Sequence, residues 1–194
     1  NMVDSTISKK QLISWEKKLL KKSEIIFVTA KSLEKKAYKF NKNIHLVPCG
    51  VDLEKFSLNF DFQIPQDMKL INSPIIGYVG SISDVIDLEL IYNLAETSTN
   101  FSFVFVGPII TNIEKLKKLK NIYFLGSKDH DKIPAYISNF DLAIIPYKKT
   151  IYMDSVYPCK LNEYLAMGKH VVSTNITEVI NYSKKYSDVI TIAN

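Results

Sequence analysis

The stretch YPCKLNEYLAMGK, residues 157–169, sets a cation and a carboxylate three positions apart at the head of a helical pattern. Pro158 suits the first turn of a helix, where a missing N–H is no loss. Lys160 then falls in that turn, against the sign of the helix dipole. A bound anion reverses the sign, because the ammonium and the helix N–H groups converge on it. Glu163 lies on the same side one turn deeper, and a carboxylate can accept two hydrogen bonds from a ribose diol. Gly168 reads as the glycine that ends the helix. The same spacing also fits an exposed Lys–Glu pair worth about 0.2–0.5 kcal/mol, so spacing alone leaves both readings open.

Such groups need a frame. Six short apolar runs, IIGYVG, FSFVFVG, IYFLG, LAIIPY, HVVST and DVITIA, are bounded by turns. Helical patterns fall between them at residues 84–97, 112–119, 132–139, 158–167 and 177–185. β-Branched and aromatic runs alternating with amphipathic helices predict a doubly wound α/β domain with a six-stranded parallel sheet covered on both faces. Ligands of such a sheet collect beyond the carboxyl ends of its strands. Gly80 and Ser81 follow the first run, with a helix expected to open near Asp84. That turn fits either a phosphate cradle or a plain strand-to-helix connection. Gly107 makes a turn after the second run. Gly126, Ser127 and Lys128 after the third could read a base edge through their backbone, or serve only as a loop. Tyr147 and Lys148 follow the fourth.

Residues 51–73 are irregular and read as a linker. Before them lie a helix at 7–22, the strand EIIFVTA, a helix at 32–39 and the strand IHLVP. This piece is too small to stand as a domain. Leu12, Trp15, Leu19 and Leu20 fall near one face of the first helix, flanked by lysines; packing on its own sheet is the expected use, with membrane-surface docking as the other.

The 194 residues carry a net charge of +5, all of the basic side chains being Lys. The lysines lie on helix faces, as in KKQLISWEKKLLKK, which reads as solvated surface and not as a nucleic-acid site. Cys49 and Cys159 are far apart in sequence and in no metal-ligand spacing, so neither a disulfide scaffold nor a zinc site is expected. The setting expected is cytoplasmic. No apolar run approaches the ~18 residues of a membrane span.

At VPCGVD, IIGYVGSISD, FDLAIIPY and PCKLNEYLAMGKHVVST the chain resembles, in order and spacing, glycosyltransferase family 4. The resemblance covers about residues 10–194. It implies a GT-B fold of two Rossmann-like domains, and a retaining hexosyl-type transferase that uses a UDP- or GDP-sugar without a further cofactor or metal. Residues 1–50 would end the acceptor-side domain, 51–73 would be the linker, and 74–194 the donor-binding domain, truncated at its C-terminus. The chain alone is expected to be inactive, since acceptor-side residues would lie outside it. By the same resemblance Glu163 holds the donor ribose. Gly80 and Ser81 match the loop beside the diphosphate, and Gly107 is expected among the donor-binding residues. Residues Gly126, Ser127 and Lys128 meet the base, and Pro158, Lys160 and Leu161 form the phosphate-binding turn. Lys160 is the expected catalytic cation, with Lys148 or Lys149 as substitutes, and Tyr147 is expected among the donor-binding residues. Ser155 stands where many members have a second glutamate, and SISDVID lacks their Arg and Lys. The partners implied are a nucleotide-sugar donor and a glycan or lipid-linked acceptor in polysaccharide or cell-envelope synthesis, with peripheral contact at the inner membrane face as an option. A non-catalytic nucleotide-binding or protein-interaction module is the other reading.

Overall fold

A computed structural model describes residues 8–193. The chain divides into two compact units, residues 1–48 with 155–157, and residues 49–154 with 158–194.

In the first unit, helix α1 (Lys9–Lys22) opens on a capping box. The Ser8 hydroxyl accepts from the Gln11 N–H, and the Gln11 side chain accepts from the Ser8 N–H. Strand β1 (Ile26–Val28), helix α2 (Lys31–Ala37) and strand β2 (Ile44–Leu46) follow, and β1 and β2 pair in parallel. The burial expected for α1 is not found. None of its residues is buried, and Trp15 and Leu19 stay 52% and 68% exposed. A two-stranded sheet offers too little surface to cover a four-turn helix. The ties of α1 are polar instead, from Glu16 to Lys36 at 2.6 Å and from the Leu20 and Ser23 carbonyls to the Asn41 amide.

The second unit holds the six predicted strands. They are β3 (Ile75–Val79), β4 (Ser102–Val106), β5 (Ile122–Gly126), β6 (Leu142–Ile145), β7 (Val171–Thr174) and β8 (Ile190–Ala193). All pair in parallel in the order β5-β4-β3-β6-β7-β8. Every residue of β4 is buried, which is why its sequence, SFVFV, shows no polar alternation. Helices α3 (Leu88–Thr97), α4 (Ile133–Ser138), α5 (Cys159–Ala166) and α6 (Thr177–Ser183) make the crossovers. They bury Ile91, Ala95, Ile137, Leu161, Tyr164 and Val179.

Two helical expectations change. Between β4 and β5 only a 3₁₀ turn, Leu116–Lys118, forms in place of a helix over 112–119. The buried anchors there, Ile113 and Leu116, are three apart, the spacing a 3₁₀ turn aligns. Helix α3 begins at Leu88, four residues later than expected, with Asp87 as its N-cap accepting from the Leu90 N–H. Residues 82–86 are committed elsewhere. Ile82 bridges to Ile109 and Ile86 bridges to Tyr147, and both isoleucines are fully buried.

Residues 51–73 group with the second unit and are irregular apart from a 3₁₀ turn at Gln66–Met68. They are nonetheless anchored. Phe56 and Met68 are buried, and Asp67 takes Lys128 at 2.7 Å and the Tyr136 hydroxyl at 2.9 Å.

Candidate functional site

The strand order reverses between β3 and β6, and a crevice at the carboxyl end of such a switch point is where open α/β sheets take ligands. Gly80 leaves β3 with φ 139°, a conformation open to glycine and strained for other residues. A Cβ on Gly107, at the end of β4, would stand 2.1 Å from the Gly80 carbonyl oxygen. Two glycines side by side therefore let the turn after β3 lie flat across the sheet edge. Hydrogen bonds strap that turn on both sides. Ile82 donates to the Pro108 carbonyl and Lys148 donates to the Val85 carbonyl, each at 2.8 Å.

Helix α5 enters this edge with Pro158 at its N-cap and no side-chain cap. It is docked by Tyr164, fully buried, whose hydroxyl accepts from the Val79 N–H at 2.7 Å. That contact fixes the register of α5 against the end of β3, and so fixes Lys160 one turn earlier. The Lys160 side chain lies over Gly80: a Cβ there would meet its Cε at 3.0 Å and its Nζ at 3.2 Å. The ammonium donates to the Tyr147 hydroxyl and sits 5.3 Å and 5.0 Å from the ring centroids of Tyr78 and Tyr147. The Ser81 hydroxyl oxygen is buried with no hydrogen-bond partner among the described residues. An unmet buried hydroxyl costs about 1–3 kcal/mol, which an incoming acceptor or donor group removes.

Glu163 is partly buried, its side chain 22% exposed, and faces the His130 ring at 3.7 Å from Nε2. His130 packs against Phe56 with ring centroids 5.4 Å apart. His130 follows Gly126, Ser127 and Lys128 on the loop after β5, so that loop and α5 meet at Glu163.

Gly80, Ser81, Gly107, Tyr147 and Lys160 are thus brought together at the switch point, and Glu163 is brought to the loop after β5. Other expected residues have different employment. The Lys128 ammonium is bound to Asp67, which keeps it from acting as a free cation. Leu161 is fully buried and its N–H donates to the Pro158 carbonyl, so it contributes to the core and not to a ligand surface. Lys148 and Ser127 are exposed. Ser155 ends the 3₁₀ turn Met153–Ser155 and groups with the first unit. Helix α3 offers its N-terminus to Asp87 and not to the Gly80 turn. Tyr78, Tyr164 and His130 were not anticipated. The only local sign of Tyr78 is a hydroxyl in an otherwise apolar strand, and His130 carried no pattern at all.

A cleft of about 570 Å³ opens at the opposite, amino edge, lined among others by Asn72, Ser102, Asn121 and Tyr123. The Asn121 amide is spent there on the carbonyls of Ala95, Ser98 and Phe101. No glycine turn and no helix N-terminus of a crossover opens into it. No helix among the described residues is long and apolar enough to cross a membrane.

Comparison with known proteins fits this architecture. The chain is 30% identical over 190 residues to TuaH of Bacillus subtilis (strain 168), a glycosyltransferase provisionally assigned to teichuronic acid biosynthesis, covering 94% of this chain and 48% of that protein. Sucrose-phosphate synthase from Thermosynechococcus elongatus superposes with a TM-score of 0.69 at 16% identity, over 99% of this chain and 50% of that one. Anabaena Alr3699/HepE, solved with UDP-glucose, gives 0.69 at 15% identity, over 90% and 51%. The two structural likenesses show a shared GT-B-type fold. The chain spans about half the length of these relatives. Residues 73–191, which carry the whole parallel sheet up to β8, match the family model for glycosyl transferases group 1, and the chain belongs to that family.

Proposed function

We propose that this chain is the donor-binding half of a retaining glycosyltransferase, which moves a hexosyl-type sugar from a UDP- or GDP-sugar to an acceptor hydroxyl. The observation that carries the reading is the Lys160 ammonium lying over Gly80 at the switch point, with Glu163 one turn further along the same helix. In transfer, the bond between the sugar and the diphosphate breaks and negative charge gathers on the leaving group. A fixed ammonium and the N-terminus of α5 stabilise that charge as it forms, without reorganising. Ser81 offers a hydroxyl to the same oxygens, which would satisfy its unmet hydrogen bond. Glu163 accepts from the ribose diol, and the loop from Gly126 to Lys128 meets the base with its backbone. Residues 1–50 act as the end of the acceptor-side domain. The acceptor is a cell-envelope glycan or a lipid-linked one; a glycan agrees with the name of the Bacillus relative, and UDP with the ligand of the Anabaena structure.

One observation favours a second reading, a nucleotide-binding module without catalysis: Ser155 replaces a carboxylate, and no cation stands between Ser81 and Asp87. A thermal-shift titration tests the shared part of both. UDP or GDP should raise the midpoint in a saturable way, by mass action on the native state. A midpoint unmoved by either nucleotide or by their sugars would remove both. Sugar transfer by the chain joined to its acceptor-side half decides between them.

A further inference from the structure

Tyr78 stands just before the glycine turn and is 1% exposed, yet it carries a hydroxyl into the carboxyl edge of the sheet. That hydroxyl donates to the Ser81 carbonyl at 3.2 Å. The Tyr147 hydroxyl accepts from Lys160 Nζ, and the same ammonium lies 5.3 Å from the centroid of the Tyr78 ring. A phenol has one proton to give. Tyr78 gives its proton to the Ser81 carbonyl, and a lone pair on Tyr147 takes the ammonium. Lys160 is therefore held by the hydroxyl of one phenol and the faces of two, and Tyr78 is itself tied to the backbone of the turn.

We propose that Tyr78 and Tyr147 are positioning residues for the leaving diphosphate, a cage that holds the Lys160 ammonium over Gly80 before the ligand arrives. The proposal rests on the nucleotide-sugar reading above.

A lysine side chain has large rotamer freedom, and an unfixed ammonium must be ordered each time a ligand binds. Two aromatic faces and one hydroxyl remove that cost beforehand. They also leave the remaining N–H bonds of the ammonium without a phenol to take them. Burial, and then the neighbouring tyrosines, push the Tyr78 phenol well above its usual range. Tyr78 thus stays uncharged and does not neutralise the lysine beside it. Simple core filling would be met equally well by phenylalanine, which makes the hydroxyls the part to test.

The experiment is calorimetric titration of the 194-residue chain with UDP and with uridine, for wild type, Tyr78→Phe, Tyr147→Phe, Lys160→Met and the double variant Tyr147→Phe/Lys160→Met, and with GDP for wild type. Phenylalanine keeps the core volume, and thermal unfolding checks that each variant is folded. Each Phe variant should bind UDP about 3- to 10-fold more weakly, the loss of one hydrogen bond, with uridine affinity unchanged. The double variant should bind UDP as Lys160→Met alone does, because the hydroxyl acts through the lysine. Wild-type affinity for UDP in both Phe variants, equal losses for UDP and uridine, or multiplied losses in the double variant would each overturn the proposal. No binding of UDP or GDP by wild type would instead defeat the nucleotide-sugar reading, and this inference with it.

Discussion

At the scale of single residues, Lys160 and Glu163 owe their meaning to where α5 is docked. Tyr164 ties that helix to the end of β3, and the two side chains follow from its pitch. Glu163→Ala should erase the preference of the chain for UDP over 2′-deoxy-UDP while leaving the fold intact. Calorimetry with the two nucleotides reads this directly, and a preference kept in full would take the ribose from Glu163. The neighbouring Cys159 gives a pH-dependent check on the same helix end. Cys159 reaches the surface, yet local desolvation and a hydrogen bond to Cys49 push its thiol up to about 11. Iodoacetamide alkylation of Cys159 should therefore still be accelerating well above pH 9, whereas an ordinary thiol with a pKa of about 8.5 has levelled off. A plateau by pH 9 would show that Cys159 is not held protonated there.

Elements carry the contrast between what the sequence discloses and what it hides. The strands were legible because continuous apolar runs such as FVFV leave a buried parallel strand as the economical reading. The start of α3 was not. Asp84 and Asp87 are both good N-caps, and the choice falls to Asp87 because residues 82–86 pair with neighbouring loops across the sheet edge. That pairing is nonlocal and leaves no periodicity. The same holds for Tyr78 and His130, which reach the site only through strand order. The irregular segment 51–73 hides a similar long-range tie in Asp67. Burial works to raise its carboxyl, but hydrogen bonds from Lys128 and Tyr136 prevail and hold it below the ordinary carboxylate value. A depressed folded-state value contributes stability that is present above the unfolded value, near 3.9, and is lost as pH falls through the folded one. Asp67→Asn should thus cost about 1–2 kcal/mol at pH 7, kept modest by solvent screening at a side chain that is one-third exposed. The difference from wild type should shrink below about pH 4. Urea unfolding of both proteins at pH 7 and pH 3.5 measures it, and an equal gap at the two pH values would rule the ion pair out as the cause.

For the whole molecule, the strand order sets a switch point between β3 and β6, and the proposed donor site lies at its carboxyl edge. A cleft of about 570 Å³ lies at the opposite, amino edge and offers a second face for a ligand. Amide chemical-shift mapping of the ¹⁵N-labelled chain during titration with UDP separates them. The account predicts saturable shifts at Gly80, Ser81, Gly126 and Lys160, with the amino edge still. Shifts confined to Asn72, Ser102, Asn121 and Tyr123, with those four amides unmoved, would contradict it.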